Sequence, residues 1–96
     1  MTTVGVAREK VRPAACVAAS FHDDAIVFFH KVDGRVFTSN QVGQKIWQGL
    51  ERCLSIGAIA HDLSREYAIP DATAREHADR FLGELERWGL VERSAE

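Results

Sequence analysis

Two short apolar segments flank a turn signal in the first half of the chain. Residues 26–31 and 35–39 contain β-branched and phenylalanine residues, and the pair Asp33-Gly34 lies between them. Such segments on either side of a turn predict β-strands, along which successive side chains alternate between opposite faces. Asp-Gly is typical of a type I′ turn, whose two central residues both need positive φ. The pattern therefore predicts a β-hairpin centred on Asp33-Gly34.

The same alternation assigns the two faces of the hairpin. With Asp33 and Gly34 as the turn, His30 lies opposite Phe37. One face then carries Ile26, Phe28, His30, Phe37 and Ser39, and the other carries Val27, Phe29, Lys31, Val36 and Thr38. Both faces are largely apolar near the middle of the hairpin. We expect one face to cover the core and the other to have a second partner, either another part of the chain or a ligand.

After the hairpin, the period of the apolar residues changes from two to 3.6, which predicts helices. Asn40 is a good N-cap for a first helix over residues 41–52. Gly43, in the first turn of that helix, would let the helix approach the sheet closely. Ser55 caps a second helix that ends at Tyr67.

A third helix follows Pro70. Asp71 or Thr73 is expected to cap it, and Thr73 with Glu76 fits the capping-box pattern. Gly89 fits the left-handed conformation that closes a helix.

These elements predict an α+β fold in one domain. Residues 14–21 supply a first strand, so a three-stranded antiparallel sheet is followed by three helices that cover one of its faces. This order is also that of a winged helix-turn-helix. We expect residues 1–12 to form a flexible N-terminal arm, residues 13–91 to form the domain, and residues 92–96 to be a frayed C-terminus.

Composition and charge narrow the classes of partner. The 96 residues carry a net charge of −2, which disfavours nucleic acids and anionic membranes because both are usually bound by a basic surface. No apolar run has the length of a membrane span, and no signal-peptide core follows the N-terminus. We expect a cytoplasmic protein that makes no membrane contact.

The residue types that carry catalysis form no recognisable motif. The four histidines lack the spacing of a metal site, and the chain has no glycine-rich phosphate loop. Cys16 and Cys53 are expected to be buried free thiols. The sequence therefore predicts no catalytic residue, no metal site and no cofactor.

A winged-helix DNA-binding regulator is the alternative that the three helices suggest. Over residues 72–88, three arginines stand against four acidic residues, so the sum is three minus four, or −1. A recognition helix usually offers an excess of cations to the phosphates and base edges. The charge of the third helix therefore disfavours this alternative.

Several motifs in a fixed order resemble the PqqD-like family, the peptide chaperones that are also called RiPP recognition elements. The first is Phe37-Thr-Ser-Asn40, which continues into Gly43-Gln-Lys-Ile46-Trp47. The second is Phe81-Leu-Gly-Glu-Leu-Glu-Arg-Trp-Gly89-Leu90-Val91, after a short capped helix. The resemblance covers residues 14–91. Two residues depart from the family pattern. Ser39 stands where the family usually has Leu, and His77 stands where an acidic residue is common on the third helix, a change that bears on leader preference.

The resemblance implies a non-catalytic chaperone that binds the leader segment of a ribosomally made precursor peptide. The leader would add as a strand to the edge of the third strand and pack against the third helix. On the strand, the implied contacts are Arg35, Val36, Phe37, Thr38 and Ser39. On the helix, residue spacing selects one flank, which contains Arg75, Asp79, Leu82 and Glu86. Leu82 would receive an apolar anchor, and the charged residues would orient the leader.

The implied partners are the precursor peptide and a maturation enzyme, such as a radical-SAM enzyme or a leader peptidase. Related domains serve the biosynthesis of pyrroloquinoline quinone (PQQ), of lasso peptides and of other modified peptides. The edge over residues 35–39 also allows two chains to pair, so a homodimer, or a purely structural dimerisation module, is a third interpretation.

Overall fold

The computed structural model describes residues 10–94. The elements in chain order are β1 (Lys10–Pro13), β2 (Val17–Phe21), β3 (Ala25–His30), β4 (Val36–Asn40), α1 (Gln41–Glu51), α2 (Ile56–Tyr67), α3 (Asp71–Arg87) and β5 (Val91–Ser94). The predicted order of a three-stranded antiparallel sheet followed by three helices is confirmed, and the sheet order is β2-β3-β4.

The hairpin between β3 and β4 is built on a longer loop than the sequence suggested. Phe28, not His30, lies opposite Phe37. Only Gly34 of the turn pair has positive φ, at 75°, and its N–H donates to the carbonyl oxygen of His30 at 2.8 Å. The register therefore differs from the predicted one by two residues. A shift of two keeps every side chain on its predicted face, whereas a shift of one would have inverted them.

The two faces of the sheet differ in burial as the alternation predicted. Ile26 and Phe28 have no exposed surface and face the helices. On the opposite face, Phe29 and Val36 lie in register with each other and are 43% and 59% exposed. The face that contains Ile26 and Phe28 therefore covers the core.

Two of the three helices begin at the predicted caps. The Asn40 side chain accepts a hydrogen bond from the N–H of Gly43 at 3.0 Å, and Ser55 Oγ accepts one from the N–H of Ala58 at 3.1 Å. The cap predicted for α3 at Asp71 or Thr73 is wrong. The helix already begins at Asp71 and follows Pro70, which makes no side-chain cap bond. Proline can precede a helix in this way because its fixed φ suits the helix entry.

A second sheet, of two strands, pairs the segment before the three-stranded sheet with the segment after the helices. β1 pairs antiparallel with β5, with Val11 opposite Arg93 and Pro13 opposite Val91. Residues 10–12, predicted to belong to the arm, and residues 92–94, predicted to fray, thus form strands. Residues 1–9 and 95–96 of the predicted termini lie outside the described residues.

The core lies between the three-stranded sheet and the helices. Trp47 of α1 is 1% exposed and packs edge-on against Phe28 at 4.7 Å between ring centroids. Leu90 and Val91 are buried after Gly89, whose φ of 75° confirms the predicted left-handed closure of α3. Across residues 10–94, none of the helices is long and apolar enough to cross a membrane.

Candidate functional site

β4 is an edge strand whose outer main-chain groups can be identified from the hydrogen-bond pattern. The N–H of His30 donates to the carbonyl oxygen of Arg35 at 2.9 Å. In an antiparallel pair, bonded and non-bonded residues alternate, so Phe37 and Ser39 also turn their main-chain groups toward β3. The N–H and C=O groups of Val36 and Thr38 therefore point away from the sheet. No strand of the described chain lies beyond them.

A groove of about 310 Å³ runs beside the end of β4. Its walls come from β4, from the first turns of α1 and from one side of α3. The lining residues are Ser39, Asn40, Val42, Gly43, Ile46, His77, Arg80, Phe81 and Glu84. Ile46 and Phe81 are buried and give the groove an apolar floor, while His77 and Arg80 are exposed at its rim.

Gly43 sets how closely α1 approaches β4 and α3 at this groove. A Cβ at this position would lie 2.9 Å from Cζ of Phe81 and would also collide with the side chain of Ser39. Any larger residue would have to displace one wall of the groove. The predicted close approach of α1 to the sheet at Gly43 is therefore confirmed.

An aromatic stack joins β4 to α3 beyond the groove. The rings of Phe37 and Trp88 lie 4.7 Å apart at an interplanar angle of 14°. The guanidinium of Arg35 lies 5.3 Å from the centroid of Phe37. Both rings are partly buried, so the stack fixes one end of β4 against the end of α3. Stacked pairs of this kind stabilise a contact by about 0.5–1.5 kcal/mol beyond the buried area.

Asp33 fixes the chain where it enters β4. Its carboxylate accepts hydrogen bonds from the main-chain N–H of Arg35 at 3.1 Å and from Nε of the same residue at 3.0 Å. These bonds, chiefly the one from the main-chain N–H, hold the pKa of Asp33 below its ordinary value. The carboxylate therefore stays ionised at neutral pH and keeps Arg35 directed along the start of the strand.

The structure brings together only part of the predicted binding residues. Val36, Phe37, Thr38 and Ser39 lie on β4, and Arg35 directly precedes it.

On α3, by contrast, the predicted residues do not line the groove. Arg75 and Asp79 are exposed and bind each other at 3.3 Å, Glu86 is exposed, and Leu82 has no exposed surface. Leu82 packs in the core, so it offers no surface to an apolar anchor in this conformation. A peptide contact by Arg75, Asp79 or Glu86 stays a prediction.

The residues of α3 that line the groove are His77, Arg80, Phe81 and Glu84. Of these, only His77 was connected with leader recognition from the sequence. The four residues follow one another at i, i+3, i+4 and i+7, which places them on one flank of the helix. We call this set the groove flank, and we call Arg75 and Asp79 the outer flank. The signal that could have separated the two is Gly43, since a glycine in the first turn of α1 marks where another element comes close.

Comparison with solved structures finds two similar chains that carry bound peptides. One is described as TbiB1 in complex with the TbiA(beta) leader peptide. It is 27% identical, with a TM-score of 0.80 over 84% of this chain and 94% of that one. The other is a lasso peptide synthetase B1 complexed with the leader peptide. It is 19% identical, with a TM-score of 0.79 over 86% and 98%, and shows the fold alone.

Comparison with sequence families agrees with the structural comparison. A search of curated protein sequences finds no match.

A family model does match the chain. The model of the family described as coenzyme PQQ synthesis protein D (PqqD) matches residues 25–91, which is more than half of the chain and includes β3, β4 and all three helices. The chain therefore belongs to the PqqD family.

Proposed function

We propose that this protein binds the leader segment of a ribosomally made precursor peptide. The leader adds as a fourth strand to the edge of β4, with some of its side chains directed into the groove beside α3. The protein presents the bound precursor to a maturation enzyme and carries out no reaction of its own.

The observation that carries this proposal is the edge formed by Val36 and Thr38. Two residues, each with an outward N–H and C=O, offer four main-chain hydrogen bonds to an extended peptide. Strand addition of this kind draws affinity from the main chain and specificity from side-chain pockets. Support comes from TbiB1, a chain of the same fold at 27% identity that was solved with a leader peptide.

The interactions available at this edge are large enough for useful affinity. Four main-chain bonds at a net value of about 1 kcal/mol each would contribute about 4 kcal/mol. One or two apolar side chains of the leader, buried against Val42 and Phe81 of the groove, would add about 1.5–3 kcal/mol each. These terms sum to about 5.5–10 kcal/mol before the cost of ordering a flexible peptide. We therefore expect a dissociation constant no tighter than the micromolar range, which corresponds to about −8 kcal/mol.

The groove flank supplies the means to select among leaders. The rim of the groove offers hydrogen-bond donors from His77 and Arg80 and an acceptor from Glu84 around an apolar floor. Arg80 and Glu84 supply opposite charges. For a leader side chain that enters the groove, Phe81 therefore limits its size, and the polar residues at the rim select its polar end. The outer flank would then contact the leader only where the peptide continues past the groove.

Because the proposed role is binding and not catalysis, a separate enzyme must modify the precursor. A radical-SAM enzyme or a leader peptidase would act on the core segment of the precursor while the leader is held on β4. We place this protein and its partner enzyme in the cytoplasm, where the precursor is synthesised. A homodimer through β4 would compete with the leader for the same edge, because only one strand can pair with Val36 and Thr38.

Proline at position 36 tests the strand addition directly. The ligand is the leader of a short precursor encoded beside the gene, labelled and followed by fluorescence anisotropy. Val36→Pro removes the outward N–H, and we expect at least a tenfold loss of affinity, about 1.4 kcal/mol or more. Val36→Ala is the matched control, since it shortens the same side chain and keeps the N–H. A folded Val36→Pro variant that binds as well as Val36→Ala would contradict strand addition at β4.

Duplex DNA is the ligand that separates this function from the alternative regulator. Binding to DNA through phosphate contacts weakens steeply as salt rises, because counterions are released. We expect no salt-sensitive binding to duplex DNA at low or moderate salt. Size-exclusion chromatography over a range of concentrations, with and without the leader, tests the homodimer, which should dissociate when the leader is added.

A further inference from the structure

The three-stranded sheet has a second edge on β2, on the side away from β4. The N–H of Lys31 donates to the carbonyl oxygen of Cys16 at 2.8 Å, so the main-chain groups of Cys16 point toward β3. Because bonded and non-bonded residues alternate along an antiparallel pair, the N–H and C=O groups of Val17, Ala19 and Phe21 point away from the sheet. No strand of residues 10–94 pairs with this edge.

Most of these outward groups are available to another strand. The N–H of Val17 is already used, since it donates to the carbonyl oxygen of Ala14 at 3.2 Å. The carbonyl oxygen of Val17 and both main-chain groups of Ala19 and Phe21 have no partner among the described residues. β2 also lacks the charged residues and prolines that usually protect an edge strand from pairing. The edge is therefore open to strand addition.

Phe21 places an apolar side chain beside the open main chain of β2. It lies opposite Ile26, so its ring is on the face of the sheet that covers the core. α1 packs over β3 and β4, however, and Phe21 is 44% exposed. A strand added to β2 would cover part of this ring, and the apolar contact would add to the main-chain bonds.

From this edge we infer that a second copy of the chain pairs antiparallel with β2, about a two-fold axis at Ala19. Ala19 then faces Ala19 of the second copy, and the two residues exchange two main-chain hydrogen bonds. On each side of the axis, the N–H of Phe21 donates to the carbonyl oxygen of Val17 in the other copy. Four main-chain bonds therefore join the two strands, although the N–H of Val17 takes no part.

The residues of β2 suit pairing with an identical strand. Val17 and Phe21 stand at its ends, and the centre between them is Ala-Ala-Ser. In the two-fold register the small residues meet at the axis, and each Phe21 packs beside Val17 of the other copy. Asp23 and Asp24, just beyond the strand, lie opposite alanines of the second copy, so no like charges face each other.

This pairing extends the sheet to six strands and keeps the leader edge of each copy free. The strand order becomes β4-β3-β2-β2-β3-β4, with a β4 edge at either end. The dimer therefore differs from a homodimer through β4, which would compete with the leader. Two short strands bury little surface, so we expect mainly monomer at about 10 µM and mainly dimer near 1 mM, roughly.

Nuclear magnetic resonance of the full-length protein over this concentration range measures both the association and its position. A reducing agent is present, so that the exposed Cys53 forms no disulfide between copies. We expect translational diffusion to slow as the concentration rises. The amide protons of Ala19 and Phe21 should shift and become protected from exchange, while those of Val36 and Thr38 stay unprotected.

Proline at position 19 tests the contact at the axis. Ala19→Pro removes both N–H groups that donate across the axis, and an edge strand tolerates proline where the N–H points to solvent. We expect the dissociation constant of the dimer to rise at least tenfold. Ala19→Ser keeps the N–H and nearly the same size, so this control should dimerise as the unaltered chain does. Circular dichroism reports whether each variant is folded.

Three results would overturn the inference. The first is a protein that stays monomeric up to about 1 mM. The second is an unchanged dissociation constant in a folded Ala19→Pro variant, and the third is an association that protects Val36 and Thr38 instead of Ala19 and Phe21. If Ala19→Pro does not fold, the amide pattern of the unaltered protein decides. None of these measurements contains the leader, so their outcome is separate from that of the leader-binding tests.

Discussion

The two flanks of α3 have similar residues and opposite surroundings. The outer flank carries Arg75 and Asp79, which bind each other at 3.3 Å and face solvent. The groove flank also carries an arginine and an acidic residue, Arg80 and Glu84, but these face β4 and the start of α1. The two flanks therefore carry similar residue types and differ in the element that lies opposite each of them. This difference is why we propose that the groove flank, and not the outer flank, contacts the peptide.

Under the proposed function, the position of a charged residue on α3 matters more than its presence. An exposed i,i+4 pair such as Arg75–Asp79 contributes a few tenths of a kcal/mol to the helix. Arg80 borders an apolar floor next to an unpaired strand edge. A ligand there would shield Arg80 from water and strengthen its polar contacts.

Among the changes that test the difference between the two flanks, we expect the largest effect from filling the groove with a larger residue at Gly43. Gly43→Val places side-chain carbon where Ser39 and Phe81 already lie. We expect the free energy of unfolding to fall by about 1–3 kcal/mol, and leader binding to weaken at least tenfold because the walls must separate. Chemical denaturation and anisotropy measure the two effects.

Gly83→Ala is the control for the change at Gly43. At Gly83 an added Cβ would lie 3.9 Å from the nearest side-chain atom, that of Arg87. We expect this variant to gain up to about 1 kcal/mol of stability through helix propensity and to bind the leader normally. Equal destabilisation by the two changes would show that the contacts of Gly43 are not special.

Trp88→Ala removes the stack that extends the groove flank toward the start of β4. We expect the free energy of unfolding to fall by about 2 kcal/mol, since a partly buried aromatic side chain and its ring contact with Phe37 are both lost. Trp88→Phe should recover most of the loss, because a ring can still stack. If Trp88→Phe is as unstable as Trp88→Ala, the stack is not what holds β4 to α3.

Matched arginine variants compare the two flanks directly. Arg80→Ala should weaken leader binding about three- to tenfold, which corresponds to roughly 0.7–1.4 kcal/mol. Arg75→Ala should change it by less than twofold. The reverse order of effects would assign leader contact to the outer flank, as residue spacing on the helix had suggested.

The smallest effect is expected from Asp33, outside both flanks. Its pKa is lowered in the folded protein, so its stabilising bonds to Arg35 are fully present above the ordinary aspartate value of 3.8. They are lost as the pH falls through the lower, folded value. Nuclear magnetic resonance titration of the Asp33 carboxyl should give a pKa below 3.8, and a value at or above 3.8 would contradict the hydrogen bonds described for the turn.

Much of the fold follows from local patterns in the sequence. The faces of the hairpin were predicted correctly although its loop was not, because an error of two residues preserves the alternation. The caps at Asn40 and Ser55 were predictable, because each side chain accepts a hydrogen bond from an N–H only three residues further along the chain. The same motifs carried the resemblance to the PqqD family, which the family model confirms.

What could not be predicted depends on contacts between distant segments. β1 and β5 stabilise each other across nearly the whole chain, and neither has a strong pattern of its own. Cys16 and Cys53 were both expected to be buried free thiols. The structure shows Cys16 partly buried against His30 and Cys53 exposed after the end of α1.

Hydrogen exchange at β4 is the most direct test of the central claim that a leader completes this strand. The amide protons of Val36 and Thr38 point away from the sheet, and they should exchange rapidly in the free protein. On saturation with the leader, nuclear magnetic resonance should show both becoming protected, while the already bonded amide of His30 changes little. Protection that appears along the outer flank of α3, with Val36 and Thr38 still exchanging freely, would contradict the claim.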